Sequence, residues 1–443
     1  MTTVRRMLFR MTLMCLVALP LTALPEWPAR AAGCTSTAYD LMVSRSSNRA
    51  NASRLCGRRL QGNVYIFLRA SSELRSINFY LDGALLHIDP DGPSDFAGGT
   101  ETKAKLTNVT AMGPGRHAIV ARGQRTDGRP VAIRATFTVL SGCRGVDVRP
   151  GRGTLNRAAA ARGKGTTFCL RKGTYTITSS VLAQDGDVFL GRGRRSTFLV
   201  GNGSVRNLFD GEALSHFFVR SLNIRGAHGV GTCAPDCGRA FKPAAGITLS
   251  NVRCHHNDNL CIGGGGGFPT IVLRSRIDHN GLVHAFRGVS AAGIKQVAGS
   301  MIVRRSHIHD NYGNGLWCDK CDGGLMLIEG NVIEDNIRKG INYEISGGHD
   351  VDRLVVRRNV ITGNNRERLG TAAGIAIISS QDVQIYDNTF GGNHGPGGDR
   401  RSVLVWDDER PFVVANVSIH DNRLRGDRLI GCALAGVSCL RNG

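Results

Sequence analysis

Ile328-Glu329-Gly330-Asn331-Val332-Ile333-Glu334-Asp335-Asn336 is the stretch on which the fold turns. Short apolar runs are broken by a polar residue and closed by an Asn, after which a Gly-apolar pair, Gly340-Ile341, restarts the unit. The same texture recurs at Leu249 to Asn257, Val303 to Asn311, Val356 to Asn364 and Ile385 to Asn393. Six Asn fall in one column, at 257, 280, 311, 336, 364 and 393, with successive gaps of 23, 31, 25, 28 and 29 residues. Runs this short with alternating polarity are strands. Self-similarity at this period marks a solenoid, in which each unit buries its apolar side against the next. The Asn column reads as structural: stacked Asn at the bends bond from rung to rung and tolerate the left-handed backbone that bends require.

Outward from this core, Thr166 to Tyr175 and Gly186-Asp187-Val188-Phe189-Leu190-Gly191 resemble the opening coil of pectate-lyase-like β-helices. Thr154 to Ala161 then reads as a short helix capping the open end of the solenoid. Ser290 to Lys295, Asn314 to Asp319 and Gly340 to Ser346 are similar to recurring motifs of secreted right-handed β-helix proteins of the pectate-lyase-like superfamily, a resemblance extending over about residues 143–430. It implies an all-β, right-handed parallel β-helix. It implies carbohydrate chemistry less strongly, because that superfamily holds lyases, hydrolases, epimerases and non-catalytic surface proteins. No complete pectate-lyase or polygalacturonase catalytic signature is present.

Before the solenoid, period-two runs such as Val64 to Leu68, Ile77 to Leu81, His117 to Ala121 and Ala135 to Val139, with Asp82-Gly83 and Asp127-Gly128 as turns, predict a small β-sandwich. Phe79 to Gly83, the Pro93 to Phe96 loop and Gly115-Arg116-His117 resemble immunoglobulin-like modules attached to secreted carbohydrate-active proteins. Arg5, Arg6 and Arg10, the apolar stretch Met11 to Leu24, and Ala29-Arg30-Ala31 have the pattern of a signal peptide, too short to span a bilayer. The expected organisation is a leader over 1–32, an immunoglobulin-like sandwich over 33–142 and a β-helix with an N-terminal helical cap over 143–443. The expected setting is extracytoplasmic, secreted or associated with the cell wall.

Of 13 Cys, Cys15 lies in the leader, which leaves an even number for disulfides in an oxidising compartment. Spacing suggests the local pairs 34–56, 143–169, 233–237, 254–261, 318–321 and 432–439, though spacing alone leaves connectivity open. Cys318-Asp319-Lys320-Cys321 would suggest redox exchange in a thioredoxin-like setting, but on a solenoid rung a rigidifying disulfide is the reading. Zinc is not expected there or at Cys254-His255-His256. The net charge of +21 invites a polyanion, yet it comes from 48 Arg against 8 Lys, the mark of a GC-rich coding sequence, with the basic residues spread along the chain. An acidic polysaccharide or wall polymer is the partner class considered; nucleic acid is not expected, and a monomer is.

Aligning rungs on the Gly-apolar restart sets Ile294, Leu316 and Ile341 inward, which sends Lys295, Trp317 and Asn342 outward in one stack and Asp319 and Glu344 outward two residues on. Two carboxylates, an ammonium, an amide and an indole one rung apart would suit a sugar: an aromatic face for the ring, charged and amide groups for hydroxyls and acid-base steps. Asp319, Glu344 and Lys295 are the candidate catalytic residues, and Trp317, Asn342 and Tyr343 the candidate substrate contacts. The carboxylates would serve as a glycosidase pair. Alternatively one of them would hold Ca²⁺ against a uronate while Lys295 or a nearby Arg removes the C5 proton. Trp406 would extend the platform, with Asp407, Asp408 and Glu409 as a charged loop. Function then divides between a polysaccharide lyase, hydrolase or epimerase and a non-catalytic polysaccharide-binding surface protein.

Overall fold

The structure, a computed structural model, describes residues 33–35, 39–69, 73–89, 94–211, 216–230, 233, 236–266, 269–288, 290–321, 325–347 and 353–443. The leader expected over 1–32 and Pro93 of the sandwich loop lie outside the described residues.

From Val146 onward the chain winds into three parallel sheets that run along the solenoid as walls. The first has 12 strands, from Val146–Val148 to Val437–Leu440. The second has 10, from Gly151–Arg152 to Thr389–Gly391, and the third has 10, from Val181–Ala183 to Arg428–Ile430. Each strand pairs in parallel with the strand one coil on, so this is the right-handed parallel β-helix that the repeats predict. Alternation drives the packing: one side of every strand points inward, and Ile294, Leu316, Ile341, Ile375 and Val403 fill a continuous core. The helix Thr154–Ala160 closes the first coil, with Leu155 and Ala159 packed into that core.

Ahead of the solenoid, strands Leu41–Ser44, Asn63–Leu68 and two short partners form one antiparallel sheet. Leu74–Leu81, Ala84–Asp89, Gly115–Arg125 and Pro130–Val139 form the other, with Arg59–Leu60 added in parallel at its edge. Asp82 and Gly83, both left-handed at φ 50° and 81°, make the expected hairpin turn. Asn63 Nδ2 donates to Gly165 O at 2.8 Å and Asn108 Nδ2 to Thr167 Oγ1 at 3.0 Å, which ties this module to the first coil. All six disulfides pair as the spacing suggested. Such pairing belongs to chains that fold in an oxidising compartment. Among the described residues no helix is long and apolar enough to cross a membrane.

The Asn column is a hydrogen-bonded ladder. Each Asn from 280 to 364 accepts on Oδ1 from the Asn one coil before and donates through Nδ2 to the next, as where Asn336 Nδ2 meets Asn364 Oδ1 at 2.9 Å. The left-handed residue, however, is the one before each Asn: His256, His279, Asp310, Asp335, Gly363 and Gly392 carry φ between 51° and 66°. The Asn carboxamide needs its own backbone N–H aimed along the ladder, and the neighbour takes the turn. A second ladder, Asn331-Asn359-Asn388-Asn422-Asn442, runs along the next corner and was not anticipated.

Candidate functional site

The third sheet brings the predicted residues together. Lys295 pairs with Trp317 and Trp317 with Asn342, while Asp319 pairs with Glu344, in strands Ala292–Val297, Asn314–Asp319 and Ile341–Glu344. The Glu344 column continues through Ile378 to Trp406, two coils on. Their inward neighbours are core residues, so these columns form the outer face of the wall. Tyr343 must be removed from the substrate contacts. It pairs with Cys318 in the inward column and is 1% exposed within the core, as the alternation around Asn342 requires.

Although outward, this face is not bare. Trp317 is 8%, Glu344 8% and Asn342 1% exposed. The Lys295 ammonium sits 3.6 Å from the centroid of the Trp317 ring and 3.2 Å from Asp319 Oδ2. Trp317 Nε1 donates to Glu344 Oε1 at 2.5 Å, and Arg410 Nη2 donates to Glu344 Oε2 at 3.2 Å. Trp317 is therefore not an open platform: one face carries Lys295 and its N–H positions Glu344. The accessible aromatic is Trp406, 38% exposed. Both Asn342 side-chain atoms are buried without a hydrogen-bond partner among the described residues. Asn342 thus points outward in its column but is covered, its carboxamide closed off from solvent.

Two groups absent from the sequence reading complete the site. Arg410 arrives from the loop after Trp406, held there by its Nε on Asp408 Oδ1 at 2.8 Å, while Asp408 is fixed by Ser379 Oγ and by its own N–H on that oxygen. Burial works against the Asp408 charge, but Arg410 and Ser379 outweigh it and hold the carboxyl below its usual range. Lys339 precedes the Gly340 restart. Burial pushes its ammonium down to about 8, opposed by Glu344 and assisted by Arg338 and Arg410. Its signal in the sequence was slight: one of eight Lys, one residue ahead of the motif that holds Asn342 and Glu344. Arg410 lies 66 residues from Glu344 and gave none.

The chemistry follows from which groups are tied. Glu344 has an N–H donor on each oxygen and Asp319 an ammonium, so both carboxylates are engaged by groups of the protein itself. Burial brings the titration of the Lys339 ammonium closer to neutral pH than that of an ordinary lysine. Asp319 and Glu344 do not fit Ca²⁺ well, since Lys295 and Arg410 already neutralise them. Among the described residues no group of three or more His, Cys, Asp or Glu could hold a metal ion.

A family model described as the right handed beta helix region matches residues 212–390. No curated protein matches the chain. Similar solved structures include the A-module of a mannuronan C-5 epimerase of Azotobacter vinelandii, at 16% identity over 68% of this chain and 93% of that one, with a TM-score of 0.43. A family 28 exopolygalacturonase of Yersinia enterocolitica is 9% identical over 90% and 97% of the two chains, TM-score 0.37. A surface adhesin of Streptococcus pneumoniae is 12% identical over 68% and 88%, TM-score 0.34. Likenesses this distant, to enzymes and to an adhesin alike, carry nothing about activity. With its coils stacked in parallel along three walls and the family match lying over their middle, the chain is a right-handed parallel β-helix protein.

Proposed function

We propose that this protein is an exported enzyme acting on a uronate-containing polysaccharide by proton abstraction at C5, as a lyase or epimerase. The observation that carries the reading is the Lys339–Arg410–Glu344 constellation: a lysine desolvated to about 8 beside an arginine that a buried glutamate holds in place. In this scheme the neutral Lys339 amine takes the C5 proton. Arg410 and Lys295 offset the charge that grows on the uronate carboxylate as the proton leaves. Trp406, 38% exposed, supplies an apolar ring face. In the lyase outcome the C5 electron pair forms the C4=C5 double bond while the C4–O glycosidic bond breaks, its oxygen taking a proton. In the epimerase outcome a proton returns to C5 from the opposite face.

Alginate and pectic polymers incubated with the protein distinguish the outcomes: unsaturated ends for a lyase, solvent deuterium at C5 without chain cleavage for an epimerase. Lys339→Ala should abolish either. If neither product forms and polymer is bound without turnover, the protein is a binding module and the catalytic assignment fails.

A further inference from the structure

The basic residues that look scattered along the sequence are gathered by the stacking of the coils. At the corner between the first and second sheets, one outward column runs Arg304, Glu329, Arg357, Tyr386 and His420. Beside it, in the left-handed corner position, stand Arg305, Gly330 and Arg358. The result is a cleft of about 160 Å³ lined by Arg304, Arg305, Glu329, Gly330 and Arg358.

Its floor is built. Glu329 is 7% exposed and is shared by three guanidinium groups, Arg304 at 2.6 Å, Arg357 at 3.0 Å and Arg358 at 3.8 Å. The Nε–H groups of Arg304 and Arg357 are buried without a hydrogen-bond partner among the described residues. Gly330, at φ 64°, leaves the corner without a side chain between Arg305 and Arg358, both exposed. Four cations thus face one carboxylate. Arg357 Nη1 also donates to Tyr386 Oη at 2.9 Å, and the Tyr386 ring stacks on His420 with ring centres 5.1 Å apart, so the outward column runs on for two coils beyond the cleft.

We infer that this corner is an anchoring site for an oxyanion-bearing polysaccharide, separate from the third-sheet site. Arg304 and Arg357 are taken up by the Glu329 carboxylate between them, whereas Arg305 and Arg358 stand exposed two coils apart, roughly 10 Å at the usual strand spacing, too far for one small anion to bridge that outer pair. A polymer with repeated carboxylate or sulfate groups can, each taken by a guanidinium fork. Between these arginines the Glu329 carboxylate interrupts the positive charge, so a chain that carries neutral sugar hydroxyls between its anionic groups suits the corner better than a nucleic-acid backbone.

The test is retention of the full-length protein in native gels cast with polygalacturonate, dextran sulfate, unsubstituted dextran or single-stranded DNA. Retention is expected in polygalacturonate or dextran sulfate, the stronger of the two telling carboxylate from sulfate, with none in dextran. Arg305→Glu combined with Arg358→Glu should weaken it about tenfold or more, and added salt should weaken the wild type. Arg305→Asn, suited to the left-handed backbone, serves if the double variant fails to fold, with an expected loss of about threefold. Lys339→Ala should leave retention unchanged, so loss of turnover with intact retention separates the two sites. Equal retention of wild type and arginine variants, no retention in either acidic polysaccharide, or equal retention in DNA would overturn the assignment.

Discussion

The base role proposed for Lys339 rests on its burial in the loop before Gly340 and on the cation near it. Because burial lowers it first and Arg410 adds to that, a base role predicts activity that rises with pH through about 8. Arg410→Ala removes one lowering influence and should move this limb to higher pH while reducing the maximum rate; a pH–rate series on both proteins checks it. Trp317→Phe keeps the packing under Lys295 but deletes the donor to Glu344. A hydrogen bond to a charged group contributes ~1.5–3 kcal/mol to stability, so the melting temperature should fall, and turnover with it as Glu344 loses the contact that positions it. The positions of Lys295, Trp317, Asn342, Asp319 and Glu344 were legible in sequence because alternation and a Gly restart fix direction and register together. Tyr343 failed by the same alternation, which turns every second residue inward. Lys339 and Arg410 were hidden because loop residues carry no period.

Among the elements, the Asn ladder makes the sharpest demand on sequence. Asn364→Ala would strip the acceptor from Asn336 N and Nδ2 and leave Ile333 O without the Asn364 donor, all in the interior. Each buried group so orphaned costs ~1–3 kcal/mol, and a clear drop in the denaturation midpoint is expected. Gly340→Ala is predicted to be comparably harmful for a different reason. A Cβ there would lie 2.6 Å from Gly374 O and 2.9 Å from Asn364 Nδ2, so the restart glycine is small because the ladder runs against it. The repeat thus announced the Asn–Gly pairing, whereas the second ladder escaped notice because its Asn sit mid-motif, where they read as the polar break between two strands.

For the whole molecule, pH acts through buried imidazoles as well as through the site. His255 is 6% exposed, its Nε2 within 3.0 Å of Asn223 Oδ1, and burial, helped by Arg253, pushes it down from 6.5 to about 4. Its folded value lies below its unfolded one, so the stability it contributes is complete above about 6.5 and is lost as pH falls toward about 4. His309 is shifted in the same direction, again by burial. Melting temperature should therefore decline across that interval, and His255→Gln should flatten the decline; an unchanged slope would show that the imidazole is not responsible. The three-walled architecture was readable because one repeat specifies every coil, but the gathering of arginines at one corner was not. Residues that look dispersed along a line become neighbours only once the line is wound.

The ladder also has a direction and an end. Every carboxamide in it passes a hydrogen onward to the next coil, and the last receiver, Asp427, takes Gly392 N, Asn393 N and Asn393 Nδ2 on its two oxygens and has no amide to hand on. An aspartate there works as a full stop written into the sequence. Grafting an additional rung beyond it would call for Asp427→Asn first, to supply the amide hydrogen that a further carboxamide in this ladder would receive.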